Sequence, residues 1–105
     1  MDIQLKRGLL EVCVLTAVSG EDSYGYKIIK DLSEHIEISE STLYPILKRL
    51  EISECLVVYS VEHNSRLRKY YKITPIGKQK ILDFLKEWKD VMEIYEYIKG
   101  EVNNE

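Results

Sequence analysis

The chain of 105 residues has few cysteines and no long apolar run. Cys13 and Cys55 are its only cysteines and form no CxxC pair, which argues against a disulfide framework or a cysteine-rich metal site, so we expect reduced thiols. No apolar stretch approaches the roughly 18 to 20 residues that span a bilayer. The first twenty residues also lack the cleavage pattern of a signal peptide. These absences predict a cytoplasmic protein without a membrane partner.

The chain also lacks an excess of positive charge, since 15 Lys and Arg face 18 Asp and Glu, for a net charge of −3. Nucleic-acid binders carry a basic footprint, so the whole-chain charge argues against DNA. The charge is nevertheless uneven, because residues 21–40 and 81–105 each carry −4 whereas residues 56–80 carry +5. Phosphate neutralisation requires only a local patch of this kind. Its cations are Arg66, Arg68, Lys69, Lys72, Lys78 and Lys80.

The length suits one compact domain, and the spacing of apolar residues predicts its elements in order. Helical periodicity indicates helices over 3–18, 24–36 and 39–54, the third with Ser39 as its N-cap. A hairpin is predicted over 56–74, and a long helix follows Pro75. The predicted fold is mainly α with a small β-hairpin. It is a winged helix-turn-helix (1–75) with a long C-terminal dimerisation helix (76–105) in the same compact unit.

Four tyrosines and one glycine near the predicted hairpin and second helix are candidates for structural roles. Tyr70 and Tyr71 point to opposite faces of a strand, so at least one of them should pack in the core. Tyr24 and Tyr26 are also assigned to structure. Gly25 permits either close helix packing or close approach of a DNA backbone, and the sequence does not choose between the two.

Several short motifs resemble those of the PadR family of bacterial transcriptional regulators. They are Tyr24-Gly25-Tyr26, Thr42-Leu43-Tyr44-Pro45, the segment 47–51 (LKRLE), and Arg68-Lys69-Tyr70-Tyr71 followed by Thr74 and Gly77. Their order and spacing are similar to the short subfamily, which has a single C-terminal helix. The resemblance implies a DNA-binding homodimer that acts on inverted repeats, usually as a repressor, with the first and last helices building the interface.

The predicted third helix and wing supply a candidate DNA-reading surface. An amphipathic helix with a polar outer face fits a major groove, while wing cations hold the adjacent backbone. The helix candidates are Ser39, Ser41, Thr42, Tyr44, Lys48 and Arg49, and the wing candidates are Arg66, Arg68 and Lys69. Taken alone, Arg68 and Lys69 would also suit an ordinary solvated strand.

The apolar stripe of the C-terminal helix is broader than packing on one surface requires, which favours a partner helix. The dimer and effector candidates are Leu9, Leu85, Trp88, Met92 and Tyr95. The resemblance implies a central cavity at the interface that accepts a planar aromatic small molecule, with Trp88 as the first candidate for sensing it. Interface packing is the alternative role for Trp88.

The motifs depart from the family pattern at two turns. Cys55 stands where the family commonly has Gly after the third helix, a position that suits the left-handed region. At the wing tip Ser65 precedes Arg66 where Gly is common, and Asn64 is able to take the positive φ instead.

Other functions find less support in the sequence. No catalytic constellation, phosphate-binding loop or cofactor motif is recognised, so an enzyme is not predicted. A metal sensor would have to gather the scattered Cys13, His35, Cys55 and His63, and thiol sensing would require Cys55 near the surface. The remaining alternative is a winged-helix adaptor that binds a protein through the acidic segments 21–40 and 81–105.

Overall fold

The computed structural model describes residues 1–103, so positions 104 and 105 of the predicted C-terminal helix lie outside the described residues. The elements are α1 (Ile3–Ala17), α2 (Gly25–Leu32), α3 (Glu40–Ile52), β1 (Leu56–His63), β2 (Arg66–Ile73) and α4 (Pro75–Asn103). The predicted fold class, a winged helix-turn-helix with a long C-terminal helix, is confirmed. Helix α2 is shorter than the predicted 24–36, since it ends at Leu32. None of the helices described within 1–103 combines the length and apolar character needed to cross a bilayer.

The core forms where α1 crosses the helix-turn-helix. Val14 and Leu15 of α1 are completely buried, and they share one apolar cluster with Ile28 of α2 and with Leu43 and Leu47 of α3. These residues recur at helical spacing, so each helix presents one apolar face to the same centre. The apolar density of α1 predicts a helix buried on most sides, but only its second half is buried, at Leu10, Val12, Val14 and Leu15, whereas residues 3–8 are exposed.

Both ends of α3 are closed by local hydrogen bonds. Ser39 is the N-cap, as predicted, and its hydroxyl accepts from the backbone N–H of Thr42 at 3.3 Å. At the other end the N–H of Cys55 donates to the carbonyl of Leu50 and the N–H of Glu54 donates to that of Glu51, which is a Schellman motif. The left-handed residue is therefore Glu54, with φ 63°, and not Cys55 as the family pattern suggested.

Strands β1 and β2 form an antiparallel hairpin in which Leu56 pairs with Ile73 and His63 pairs with Arg66. The two-residue loop is Asn64–Ser65. The predicted positive φ of Asn64 is confirmed, at 51°, and Ser65 also has a positive φ of 64°. Two consecutive positive φ values are typical of a type I′ turn, whose twist matches that of the strands.

Helix α4 begins against the end of the hairpin. The Thr74 hydroxyl accepts from the N–H of Gly77 at 3.1 Å and donates to the carbonyl of Glu54 at 2.6 Å, so it caps α4 and ties it to the turn after α3. Pro75 occupies the first helical position, where its missing N–H does no harm. Gly77 lies so close to that turn that a Cβ would stand 2.5 Å from the Cys55 carbonyl oxygen.

We expect Gly77→Ala to destabilise the protein, because the added methyl group must displace backbone at Cys55 as well as the Ile73 side chain. Overpacking of this kind costs roughly 1 to 3 kcal/mol of unfolding free energy. Gly100→Ala in the same helix is the matched control, since nothing lies within 4 Å of its added Cβ. Urea denaturation at fixed protein concentration compares the two, and equal stability of both variants would contradict the close contact at Gly77.

Candidate nucleic-acid interface

A cleft of about 750 Å³ lies between the start of α2, the outer face of α3 and the hairpin. It brings together four of the predicted contact residues, Tyr44 from α3 and Arg66, Arg68 and Lys69 from the wing. The cations of the hairpin and the tyrosine of α3 therefore line the same cleft. A polyanion lying across this opening would meet both elements.

The first turn of α3 carries three linked hydroxyl groups. The Ser39 hydroxyl lies 3.0 Å from that of Ser41 and donates to that of Thr42 at 3.1 Å. All three side chains are exposed, as is Lys48 farther along the helix. These residues do not line the cleft, but they lie on α3, the helix that borders it. The free N–H groups of this helical turn add partial positive charge for a phosphate.

Arg49 differs from the sequence-based expectation. Its Nε donates to Oε1 of Glu11 on α1 at 3.2 Å, so the partly exposed guanidinium is paired with an acid of the same chain. Lys80, counted above in the basic patch, donates to the other oxygen of Glu11 at 3.0 Å. Two predicted cations are therefore already paired with an acid of the same chain, and the candidate cations of the cleft are those of the wing.

The outer face of the hairpin carries a ladder of aromatic rings. Tyr59 stacks on Tyr70 with ring centroids 5.7 Å apart, and Tyr70 and Tyr24 form a T-shaped pair with centroids 5.4 Å apart. The Arg68 guanidinium lies over the ring of Tyr24, 4.0 Å from its centroid. Such cation–π contacts orient a guanidinium without neutralising it. The ladder therefore holds Arg68 at the cleft with its charge intact.

Asp22 anchors the far end of this ladder. The Tyr59 hydroxyl donates to Oδ2 of Asp22 at 2.5 Å, and this hydrogen bond raises the pKa of Tyr59 above 10.0. The acidic charge near α2 is partly compensated as well, because Lys27 forms ion pairs with Glu21 at 3.3 Å and with Asp31 at 3.0 Å. Several acids that weighed against DNA in the sequence are thus engaged in local contacts.

The structure shows where Gly25 and the four tyrosines near the hairpin lie. A Cβ on Gly25 would stand 2.5 Å from the Tyr44 hydroxyl oxygen, so Gly25 leaves room for the end of the Tyr44 ring, and it also lines the cleft. Tyr71 is buried, which confirms that one of the paired strand tyrosines is a core residue. The structural role predicted for Tyr26 is wrong, because its side chain is 69% exposed and lines the cleft. No periodicity signal could have separated it from Tyr24, which lies two positions away.

Comparisons with known proteins agree with this architecture. Residues 14–83 match the model of the transcriptional regulator PadR-like family, which is well over half of the chain. The chain belongs to the PadR-like family of transcriptional regulators. An uncharacterised protein from Lysinibacillus sphaericus is 37% identical over 93 residues, covering 84% of this chain and 85% of its own. The transcriptional regulator Rv3488 of Mycobacterium tuberculosis is 30% identical over 76 residues, covering 71% of each chain.

Solved structures of the PadR family share the fold. The crystal structure of a PadR family transcriptional regulator from Eggerthella lenta superimposes with a TM-score of 0.82 and 32% identity. The match covers 91% of this chain and 86% of the other. It therefore includes most of the C-terminal helix as well as the winged helix.

The predicted dimer and effector residues of this PadR-like chain lie on α1 and α4. Leu9 is half-buried on α1, while Leu85, Met92 and Tyr95 are exposed on α4. Trp88 is half-buried, and its ring centroid lies 5.7 Å from that of Phe84. The described single chain leaves most of this apolar surface uncovered.

The two cysteines differ in burial. Thiol sensing would require Cys55 near the surface, but only 3% of it is exposed and it belongs to the apolar core. Cys13 is half-buried against the same core, and burial raises the pKa of its thiol above 9.0. Within residues 1–103, no three side chains of His, Cys, Asp or Glu gather in a way that could hold a metal ion.

We expect Tyr24→Leu to weaken DNA binding, because Arg68 loses the ring that orients it. An exposed cation–π contact contributes roughly 0.5 to 1 kcal/mol, which is about a twofold to fivefold change in dissociation constant per contact. Tyr24→Phe keeps the ring and should bind nearly as the natural protein does. Fluorescence anisotropy on a labelled duplex measures the difference, and equal losses in both variants would contradict the role of the ring.

Proposed function

We propose that this PadR-like regulator is a sequence-specific transcriptional repressor that binds inverted-repeat operators as a homodimer. The observation that carries the proposal is the cleft in which Arg66, Arg68 and Lys69 of the wing face Tyr44 of α3. Membership of a family of transcriptional regulators supports DNA as the polyanion. Such a protein would act in the cytoplasm, where bacterial DNA lies.

In this proposal α3 enters a major groove and the wing follows the backbone beside it. Ser41, Thr42, Tyr44 and Lys48 contact base edges and nearby phosphates, because an exposed helix face of this kind fits the width of the groove. The hydroxyl of Ser39 is engaged as the helix cap, so it holds the turn that meets the phosphate. Arg66, Arg68 and Lys69 neutralise phosphates on either side of the wing tip.

The exposed apolar surface of α4 supports a dimer. The helix has 29 residues, about 44 Å of length, and every residue from 89 to 103 is exposed. A helix without tertiary contacts is only marginally stable in water, so a second copy of α4 is the natural cover for this half. The exposed large apolar side chains of this half are Val91, Met92, Ile94, Tyr95, Tyr97, Ile98 and Val102, and Leu82 and Leu85 are exposed before it.

We also propose Trp88 as the sensor of a planar aromatic effector. Its ring is half-buried beside Phe84, at the point where α4 changes from packed on its own core to exposed. A flat ligand that stacks on this ring would lie between the packed and the projecting halves of α4. From there it could alter how the two copies meet.

Capture of genomic fragments by the purified protein tests the operator proposal. A repressor of this kind enriches inverted repeats with half-sites about 34 Å apart, which is one turn of the duplex. The rival interpretation, an adaptor that binds a protein through its acidic segments, enriches no sequence.

The salt dependence of binding to a captured fragment tests the wing. We expect Arg66→Ala combined with Arg68→Ala to lower both affinity and salt slope, since each lost phosphate contact reduces the slope by about 0.9. Lys72→Ala combined with Lys78→Ala removes the same charge from exposed positions outside the cleft and is the matched control. Equal slopes for the two double variants would mean that only the total charge matters.

We expect Met92→Glu to weaken the dimer, because it places a carboxylate within the exposed apolar stripe of α4. Lys86→Glu changes the charge by more, but helical spacing places it about 120° around α4 from Met92, so it should weaken the dimer less. Sedimentation velocity at micromolar concentration compares the variants. A natural protein that sediments as a monomer would contradict the dimer altogether.

A further inference from the structure

The Glu11 carboxylate joins three helices. Glu11 lies on α1 with only 16% of its side chain exposed, and each of its oxygens has its own partner. Oε1 accepts from Nε of Arg49 on α3 at 3.2 Å, and Oε2 accepts from Nζ of Lys80 on α4 at 3.0 Å. The partners lie 38 and 69 positions away along the chain, so this contact exists only in the folded protein.

No other ion pair among residues 1–103 connects these helices. The remaining pairs join Lys27 to Glu21 and Asp31, which are local to α2 and its approach. Burial raises the pKa of Glu11, but the hydrogen bonds and charges of Lys80 and Arg49 outweigh it and hold the pKa below 4.5. At neutral pH a charged carboxylate therefore lies between two cations that belong to different helices.

The position of this contact matters because α3 and α4 have different tasks in the proposed function. Arg49 follows Lys48 directly, so anchoring Arg49 to α1 determines how far α3 can rotate about its axis and where Lys48 points. Lys80 lies on the part of α4 that packs on the same chain, near the start of the helix whose exposed stripe meets the partner. An apolar contact could slide along either helix, whereas a two-pronged ionic contact has one favourable geometry.

We propose that Glu11 is a positioning residue that holds the recognition helix α3 at a set angle to the dimerisation helix α4, and so sets the half-site spacing that the dimer accepts. This inference rests on the proposed dimeric DNA binding. The two recognition helices are related through α4, so a change in the angle between α3 and α4 is doubled across the two-fold axis. Loss of the carboxylate should leave the reading surface of each α3 intact and loosen the distance between the two.

The test uses the full-length protein and duplexes made from a captured operator, with the spacer between half-sites shortened or lengthened by single base pairs. We expect the natural protein to have one preferred spacing. Glu11→Gln, which removes the charge and keeps the size, should bind that spacing about three- to tenfold more weakly and lose most of its discrimination against neighbouring spacers. A duplex with a single half-site, measured at low salt, should bind both proteins equally.

Two further variants keep the test decisive. Lys80→Gln leaves the Glu11–Arg49 pair in place and breaks only the link to α4, so it should broaden the spacing profile in the same way even if Glu11→Gln folds poorly. Asp31→Asn breaks an ion pair local to α2 and should have no effect on the profile.

The outcomes separate the inference from the function on which it rests. If the natural protein binds as a monomer or has no preferred spacing, the proposed dimeric function is wrong. If it has a preferred spacing and both Glu11→Gln and Lys80→Gln reproduce that profile, the positioning role is wrong and the function stands. If Glu11→Gln loses as much affinity for the single half-site as for the operator, Glu11 only supports the folding of α3. That result also overturns the inference.

Discussion

The placement of the wing depends on two backbone hydrogen bonds between Ser23 and Tyr71. The N–H of Ser23 donates to the carbonyl of Tyr71 at 3.1 Å, and the N–H of Tyr71 donates back at 2.7 Å. This short bridge covers the outer edge of β2 with the residue that precedes α2 by two positions. Because neighbouring residues of an extended chain alternate between faces, burying Ser23 against the core directs Tyr24 to the outer face, beside Tyr70 and beneath Arg68. The cleft between helix and wing follows from this pairing.

Helix α4 combines two environments in one continuous element. Near its start, Gly77 is buried against the turn after α3, and Ile81, Phe84 and Trp88 follow at helical spacing as half-buried residues. Beyond Trp88 the helix continues with exposed apolar residues, so the same periodic stripe passes from a surface of its own chain to one that a partner would cover. The Glu11 contact lies on the packed part, where a change in orientation would be carried to both α3 and the exposed half.

The charge distribution illustrates why the sequence indicated the class of protein but could not show which cations are paired within the chain. The net charge of −3 is a poor guide, since the wing gathers its cations at one place and several acids near α2 have local partners. Arg49 and Lys80 could not be separated from the free cations by inspection, because Glu11 is distant in sequence from both. Lys48 and Arg49 are adjacent residues, yet a step of one position around a helix leaves the Lys48 side chain exposed and turns that of Arg49 toward Glu11 of α1.

The sequence by itself determined the order of the elements, the apolar faces of the helices, the Ser39 cap, the turn at Asn64 and the family to which the chain belongs. The elements, the cap and the turn depend on contacts between near neighbours, so periodicity and turn chemistry are enough to reveal them, and the family follows from the order of short motifs. Only the tertiary structure decided that Tyr26 is exposed, that Cys55 is buried, that Glu54 takes the left-handed conformation and that Arg49 is paired with Glu11. Each of these depends on which distant segment lies against the residue, and the packing of α1, the hairpin and α4 supplies that information.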